Sequence, residues 1–113
     1  MKKYSVKFLF QYRIDSNLDE KMRTCEEKTL IFTIENSEDI ISLAIKKAKE
    51  LEFEYLNDCN NKVFFEFIGI LDICHLGIEV EENEVWYDIK TMLTPMERKD
   101  KILPSIEQLK KHL

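Results

Sequence analysis

The residues best suited to chemistry lie together near the middle of the chain. Cys74 and His75 adjoin each other, and a cysteine beside a histidine can form a nucleophile and its base. In a β-strand, however, neighbouring side chains point to opposite faces of the sheet, so these two would not face each other. A cysteine in an apolar segment is typically a small core residue, and that interpretation of Cys74 is favoured.

Two carboxylates interrupt the same apolar segment. Glu66 and Asp72 stand among aromatic and aliphatic residues, where burial can raise a carboxyl pKa toward the range used in general acid–base catalysis. A salt bridge to Arg13 or Lys7 is the favoured interpretation, since structural pairs perturb carboxylates as well. A small ligand-binding or enzymatic domain built on Glu66, Asp72, Cys74 and His75 remains an alternative function.

Other catalytic and metal-binding motifs are missing from the sequence. The two glycines, Gly69 and Gly77, belong to no phosphate-binding loop, and no GxSxG or HExxH motif occurs. The three cysteines are widely spaced and odd in number, which predicts neither a disulfide framework nor a zinc site. His112 is interpreted as a charge at a helix end. We therefore expect no catalytic residues, no metal and no cofactor.

An acidic turn is the most distinctive surface feature. Glu79, Glu81, Glu82 and Glu84 place four negative charges within six residues, and Trp86 follows. Clustered charge can steer a basic partner toward the surface, and an aromatic ring can anchor it. These five residues are the predicted partner-binding site. The alternative is a solvated hairpin tip whose tryptophan packs inward.

Charge and composition narrow the class of protein. The 113 residues carry 17 Lys+Arg and 22 Asp+Glu, a net charge of −5, whereas a nucleic-acid-binding domain needs a basic face. The longest uncharged apolar run, Phe67–Leu71, is far short of the roughly 20 residues of a membrane helix. The N-terminal residues lack the pattern of a secretion signal. We expect a cytoplasmic protein that binds neither nucleic acid nor membrane.

Period-two alternation predicts the first half of a sheet. Residues 3–14 alternate over twelve positions, which is typical of a half-buried strand. A polar loop to Thr24 and a second strand from Cys25 to Glu35 should follow. Asn36 or Ser37 is the expected N-cap of a helix. The apolar stripe of that helix is expected to run from Ile41 to Tyr55.

Two further strands and a tail complete the predicted elements. Lys62–Leu76 is apolar at both parities, which indicates an interior strand covered on both faces. Gly69 in its middle predicts a bulge that switches parity. Residues 85–93 form the fourth strand. Thr94 and Glu97, with Pro95 between them, predict a capping box at the start of a helical tail.

These elements predict an α+β fold. Its four-stranded, mainly antiparallel sheet has the order β-β-α-β-β along the chain, with one helix packed on one face. Residues 1–93 form the single domain, and residues 94–113 form a short helical C-terminal tail. One helix cannot cover four long strands, so the other face must meet the tail or another copy of the protein.

Several segments, in order along the chain, carry a resemblance to a known family. They are Tyr4–Lys7, Glu26–Lys28 before Leu30–Phe32, the helix around Ala44–Ala48, and Phe67–Ile73. Over residues 3–93 the chain resembles a small bacterial family catalogued as domain of unknown function 4288. The resemblance implies a β-β-α-β-β domain from a bacterium. It implies no activity and no site residue.

The leading functional hypothesis is a non-enzymatic protein-binding domain. Its most specific form is a cytoplasmic immunity protein that neutralises a bacterial toxin by binding and occluding it. Toxins that attack nucleic acid often have basic active sites, and an acidic protein can imitate the phosphate backbone there. The alternative is a self-associating structural module, such as a homodimer, because the sheet has few helices to cover it.

Overall fold

The computed structural model describes residues 2–16, 21–35, 39–77 and 86–111. Five strands and three helices lie within these ranges. In chain order they are β1 (Lys2–Asp15), β2 (Met22–Ile34), α1 (Ile40–Glu50), β3 (Phe53–Leu56), β4 (Lys62–Gly77), β5 (Trp86–Leu93), α2 (Lys99–Ile102) and α3 (Ile106–Lys110).

The strands form one antiparallel sheet of five strands with the order β3-β4-β1-β2-β5. The long central strand β1 pairs with β2 on one edge and with β4 on the other. The α+β class and the antiparallel pairing agree with the sequence analysis. The predicted four-stranded β-β-α-β-β sheet is wrong, because a fifth strand, β3, lies between the helix and β4.

The fifth strand occupies residues for which the apolar spacing predicts a helix. The helix ends at Glu50 rather than continuing to Tyr55. Phe53 and Tyr55 instead pair with Phe65 and Val63 of β4, and the Phe53 ring stacks on Phe65 with centroids 4.8 Å apart. A spacing of four residues from Leu51 to Tyr55 suits a helix stripe, but aromatic packing on the sheet decides the conformation.

The two faces of the sheet are covered by different parts of the chain. On one face, hereafter the helix side, α1 packs chiefly against β4, β1 and β2. Apolar side chains from α1 and these strands form the larger core there. They are Tyr4, Val6, Phe8, Phe10, Ile34, Ile40, Ile41, Ala44, Ala48, Phe65, Ile70, Ile73 and, from α3, Leu109. The two buried alanines let α1 approach the sheet closely.

Asp39 is the N-cap of α1. Its side chain accepts hydrogen bonds from the Ile41 N–H at 3.0 Å and from the Ser42 hydroxyl at 2.9 Å. The Ser42 hydroxyl and the backbone N–H together lower the pKa of Asp39. The predicted caps, Asn36 and Ser37, lie outside the described residues. The sequence placed the start of the helix within a few residues, although the capping residue is a different one.

Strand β4 contains the irregularities predicted around Gly69. The pairing of β4 with β1 shifts register three times, and the two shifts on either side of Gly69 leave Ile68 and Leu71 without a partner in β1. Ile68 and Leu71 consequently pack on the face opposite α1, whereas Ile70 joins the core beneath the helix. The two bulges that flank Gly69 therefore switch the parity of the strand and restore it, and they let β4 contribute apolar side chains to both faces.

The other face, hereafter the tail side, has a smaller core. Leu9, Cys25 and Ile68 are buried there, and Met96, Ile102 and Leu103 of the tail pack over them. The tail is helical, as expected, but it does not begin with the predicted capping box of Thr94 and Glu97. Residues 95–98 form turns, and the helical start with a capping box is at Ser105 and Gln108 of α3.

Gly69 marks the point at which the tail contacts β4. A Cβ atom built on Gly69 would overlap the Leu103 side chain. Glycine is therefore needed here for the close approach of the tail, and not because of its backbone angles. Beyond this contact the chain reaches the helix side, where Leu109 is buried.

Replacement of Gly69 tests the docking of the tail. We expect Gly69→Ala to destabilise the protein by about 1–2 kcal/mol, since the added methyl group displaces Leu103. In a Leu103→Ala background the same change should be neutral or slightly stabilising, because the space is free. Urea unfolding of the four proteins measures the coupling, which we expect to reach about 1 kcal/mol. Additive effects would show that the tail does not pack on Gly69.

Candidate functional site

The helix is too short to cover its side of the sheet. Eleven residues of α1 span about 16 Å, whereas the fourteen residues of β1 span about 46 Å. Along β1, the helix-side residues from Tyr4 to Phe10 are buried, but Tyr12 and Ile14 are only partly buried. Among the described residues, no helix or strand therefore covers the far end of the helix side.

Large apolar side chains are concentrated on this open part of the sheet. Five apolar side chains on the helix side are between 43% and 56% exposed, namely those of Met22, Phe53, Tyr55, Ile89 and Leu93. We call the following set the open patch: Tyr12, Ile14, Met22, Phe53, Tyr55, Ile89 and Leu93. A half-exposed side chain of this size leaves on the order of 100 Å² in solvent, so five of them expose roughly 500 Å². That is near the upper end for a monomeric protein, and patches of this size are often binding sites.

A cleft of about 410 Å³ lies within the open patch. Its walls are Tyr55 and Met22, which belong to strands on opposite sides of β1. Tyr12 and Val63 contribute apolar surface between them. Thr24 and Asn57 supply polar groups, and Ile14 and Arg23 complete the lining. A volume of this order holds a small ligand or one or two large side chains of a protein partner.

Stacked aromatic rings support one wall of the cleft. Phe10 stacks on Phe65 with ring centroids 4.5 Å apart, Phe65 stacks on Phe53 at 4.8 Å, and Phe53 stacks on Tyr55 at 6.1 Å. Phe10 and Phe65 are buried, while Phe53 and Tyr55 are exposed. The exposed rings thus stack on a buried base, which restricts the conformations that their side chains can adopt.

Tyr12 is the titratable group at the centre of the cleft. Partial burial raises its pKa, and the negative charge of Glu26 raises it further. The phenol therefore stays neutral throughout the physiological range, as an apolar ring with one hydrogen-bonding group. Such a residue suits binding of an apolar partner.

A polar network lies on the opposite, tail side of the sheet. Gln11 is only 1% exposed, and its amide donates a hydrogen bond to Glu66 at 2.9 Å. Arg13 donates two further bonds to the same carboxylate, at 2.8 and 3.2 Å, and its guanidinium lies 4.5 Å from the centre of the Phe64 ring. The predicted salt bridge from Glu66 to Arg13 is confirmed.

The network extends to the tail through Arg23. Its guanidinium donates to the Gln11 side-chain oxygen at 3.2 Å and to Glu97 at 2.6 Å. Burial raises the pKa of Glu66, but the hydrogen bonds from Arg13 and Gln11 outweigh burial and leave that pKa below its ordinary value. The bond from Arg23 likewise lowers the pKa of Glu97. Both carboxylates are therefore ionised partners of arginines and hold β1, β2, β4 and the tail together.

The remaining candidates for chemistry do not join Glu66. Asp72 is exposed, and Cys74 is also exposed rather than a core residue as predicted. His75 packs its ring 4.9 Å from that of Tyr4 on the helix side. The structure therefore does not gather the four residues of the alternative site around one cleft. In the described ranges, no three His, Cys, Asp or Glu side chains are placed to hold a metal ion.

The predicted partner-binding residues fall mostly outside the described part of the chain. Glu79, Glu81, Glu82 and Glu84 are not among the described residues. Trp86 begins β5, where it pairs with Thr29 of β2. The acidic turn as a partner-binding site therefore stays a prediction.

The open patch was missed by the sequence analysis. The residue pattern predicts a helix for Phe53 and Tyr55 and a loop for Met22. The available signal was the alternation of aromatic and acidic residues from Glu52 to Tyr55, which is typical of a strand. The exposure of these residues depends on how far α1 reaches along β1, and the pattern of residues does not predict that distance.

Comparison with known proteins adds no assignment. The chain matches no known family model, no curated protein and no solved structure. The resemblance to domain of unknown function 4288 therefore stays a prediction. No helix within the described ranges is both long enough and apolar enough to cross a membrane.

Removal of the charge on Glu66 tests the polar network. At pH 7 we expect Glu66→Gln to reduce the free energy of unfolding by about 1–2 kcal/mol, because charge-assisted hydrogen bonds from Arg13 are lost. Glu54→Gln is the matched control, since Glu54 forms an exposed pair with Lys62 at 3.7 Å and should contribute little.

The same variant should change the dependence of stability on pH. A carboxylate with a lowered pKa stabilises the fold above its unfolded pKa of about 4.3, and this stabilisation is lost as the pH falls through the folded-state pKa. The difference between wild type and Glu66→Gln should therefore shrink when urea unfolding is repeated at about pH 3. A difference that is unchanged at low pH would exclude an ionised Glu66 as its cause.

Proposed function

We propose that this chain is a non-enzymatic protein-binding domain whose partner packs on the open patch. The observation that supports the proposal is the uncovered apolar end of the helix side, with its cleft between Tyr55 and Met22. Buried aromatic anchors in preformed pockets contribute most of the affinity in protein interfaces. A partner that inserts one apolar side chain into this cleft would bury the rings that the protein itself leaves exposed.

The most specific form of the proposal is an immunity protein. Such a protein binds a toxin and occludes its active surface without performing chemistry. Support comes from the small size of the chain, its net charge of −5 and its acidic segment Glu79–Glu84, all of which suit a basic toxin. In this form the open patch provides contact area, while the acidic residues guide the encounter.

Two neighbouring residues of β3 provide a matched test of the open patch. Tyr55 is 46% exposed on the helix side, and Leu56 is 63% exposed and points to the tail side. The protein is co-expressed with the product of the adjacent gene, and the affinity of the purified complex is measured by calorimetry. We expect Tyr55→Lys to weaken binding about 30-fold or more, as for an interface hot spot. Leu56→Lys should leave the affinity within about twofold.

The outcomes separate the general proposal from its specific form. Equal losses for the two variants, or no loss for Tyr55→Lys, would remove the open patch from the interface. If the neighbouring product binds but is not toxic when expressed alone, the immunity function is excluded while protein binding is retained. If it does not bind, the immunity proposal is wrong.

A further inference from the structure

Strand β5 ends the sheet with a regular edge. Within the described part of the chain, no strand pairs with the outer side of β5. The strand contains no proline, and its pairing with β2 runs from Trp86 to Leu93 without a register shift. Natural sheets usually protect an edge with proline, a bulge or charged side chains, because a bare edge pairs with other strands; the charges of β5, Asp88 and Lys90, are opposite in sign. The outer edge of β5 lacks a bulge and a proline.

The sequence of β5 is complementary to itself in one register. If two copies of the strand pair antiparallel with Ile89 opposite Ile89, then Asp88 of one copy faces Lys90 of the other, and the reverse pair forms as well. Residues directly opposite each other lie on the same face of the sheet, so both charge pairs form on the tail side and the isoleucine pair on the helix side. Opposite charges in such positions stabilise a strand pair, and like charges destabilise it.

The side chains concerned are exposed to solvent. Ile89 is 56% exposed, and Asp88 is exposed. Lys90 pairs with Glu27 of its own chain, yet the Lys90 side chain remains 44% exposed. It can therefore lie between Glu27 and the incoming Asp88. The pairing would join two five-stranded sheets into one of ten strands, and it would make Ile89 part of a continuous apolar surface.

From this complementarity we propose that the protein forms a two-fold symmetric dimer through antiparallel pairing of β5 with β5 of a second copy. The axis passes beside Ile89, and reciprocal Asp88–Lys90 pairs set the register. The proposal rests on the edge of β5 and not on the function proposed above. The two are compatible, because the cleft between Tyr55 and Met22 stays open in each copy. A dimer of this kind presents two such clefts on the same side of a continuous sheet.

Two equally exposed isoleucines provide the first test. Ile106 of α3 is 53% exposed and lines a cleft with Ile68 of β4, which β1 and β2 separate from β5, so Ile106→Lys is the matched control for Ile89→Lys. Molar mass is measured by sedimentation equilibrium over a range of concentrations. We expect wild type and Ile106→Lys to dimerise with the same dissociation constant. Ile89→Lys should weaken the dimer about tenfold or more, since two lysines then face each other.

Cysteine cross-linking tests the register. In a background with the exposed Cys59 and Cys74 replaced by serine, Ile89→Cys places two thiols on facing positions, with Cα atoms about 4.5–5.5 Å apart. A disulfide dimer should form under mild oxidation. Thr91→Cys lies on the same face, but its two copies would be separated by roughly 13 Å and should not cross-link.

The results have definite meanings. The proposal would be overturned by a wild-type protein that stays monomeric up to about 1 mM. At that concentration a dimer with a dissociation free energy of about 4 kcal/mol is half formed. A dimer that is insensitive to Ile89→Lys would also overturn it, as would cross-linking through Thr91→Cys in preference to Ile89→Cys. The Tyr55→Lys variant should dimerise like wild type even if it loses partner binding. Each proposal can therefore be contradicted without the other.

Discussion

Burial of both faces of β1 is the constraint on which the rest of the structure depends. Leu9 and Phe10 are neighbours on this strand, so their side chains point to opposite faces, and both are fully buried. A central strand with apolar residues on both faces needs two covers. The chain supplies α1 for one face and the tail for the other. Neither cover extends along the whole strand, and the uncovered remainder of the helix side is the open patch.

On the tail side of the sheet, the polar network begins where the apolar core ends. Leu9 is followed on the same face by Gln11 and Arg13, so the face changes from apolar to polar along a single strand. Arg23 connects this polar part to Glu97 of the tail. The Arg23–Glu97 pair is half exposed on the carboxylate side, and it joins the tail to the sheet in addition to the apolar contacts of Leu103. The two sides of the sheet therefore end differently, in paired charges on one and in exposed rings on the other.

Local patterns predicted most of the elements, and tertiary contacts explain the errors. Alternation predicted β1, and the two-sided apolar sequence of β4 with Gly69 predicted an interior strand with a bulge. The sequence did not predict β3, because a four-residue aromatic segment is compatible with a helix until Phe65 is available to stack on Phe53. Glu97 was expected to cap a helix, but Arg23, 74 residues away, binds it instead. The open patch was unpredictable for a related reason, since exposure depends on how far α1 reaches along the sheet.

The proposed binding by surface contact depends on this incomplete cover, which paramagnetic NMR measures directly. A soluble gadolinium complex broadens methyl signals according to their exposure, in a dilute sample where the protein is monomeric. The signals of Met22 and Leu93 should broaden as strongly as that of Ile106, whereas Ile70 and Ile73 beneath the helix should be spared. If Met22 and Leu93 are protected as well as Ile70, the end of the sheet is covered and the open patch does not exist.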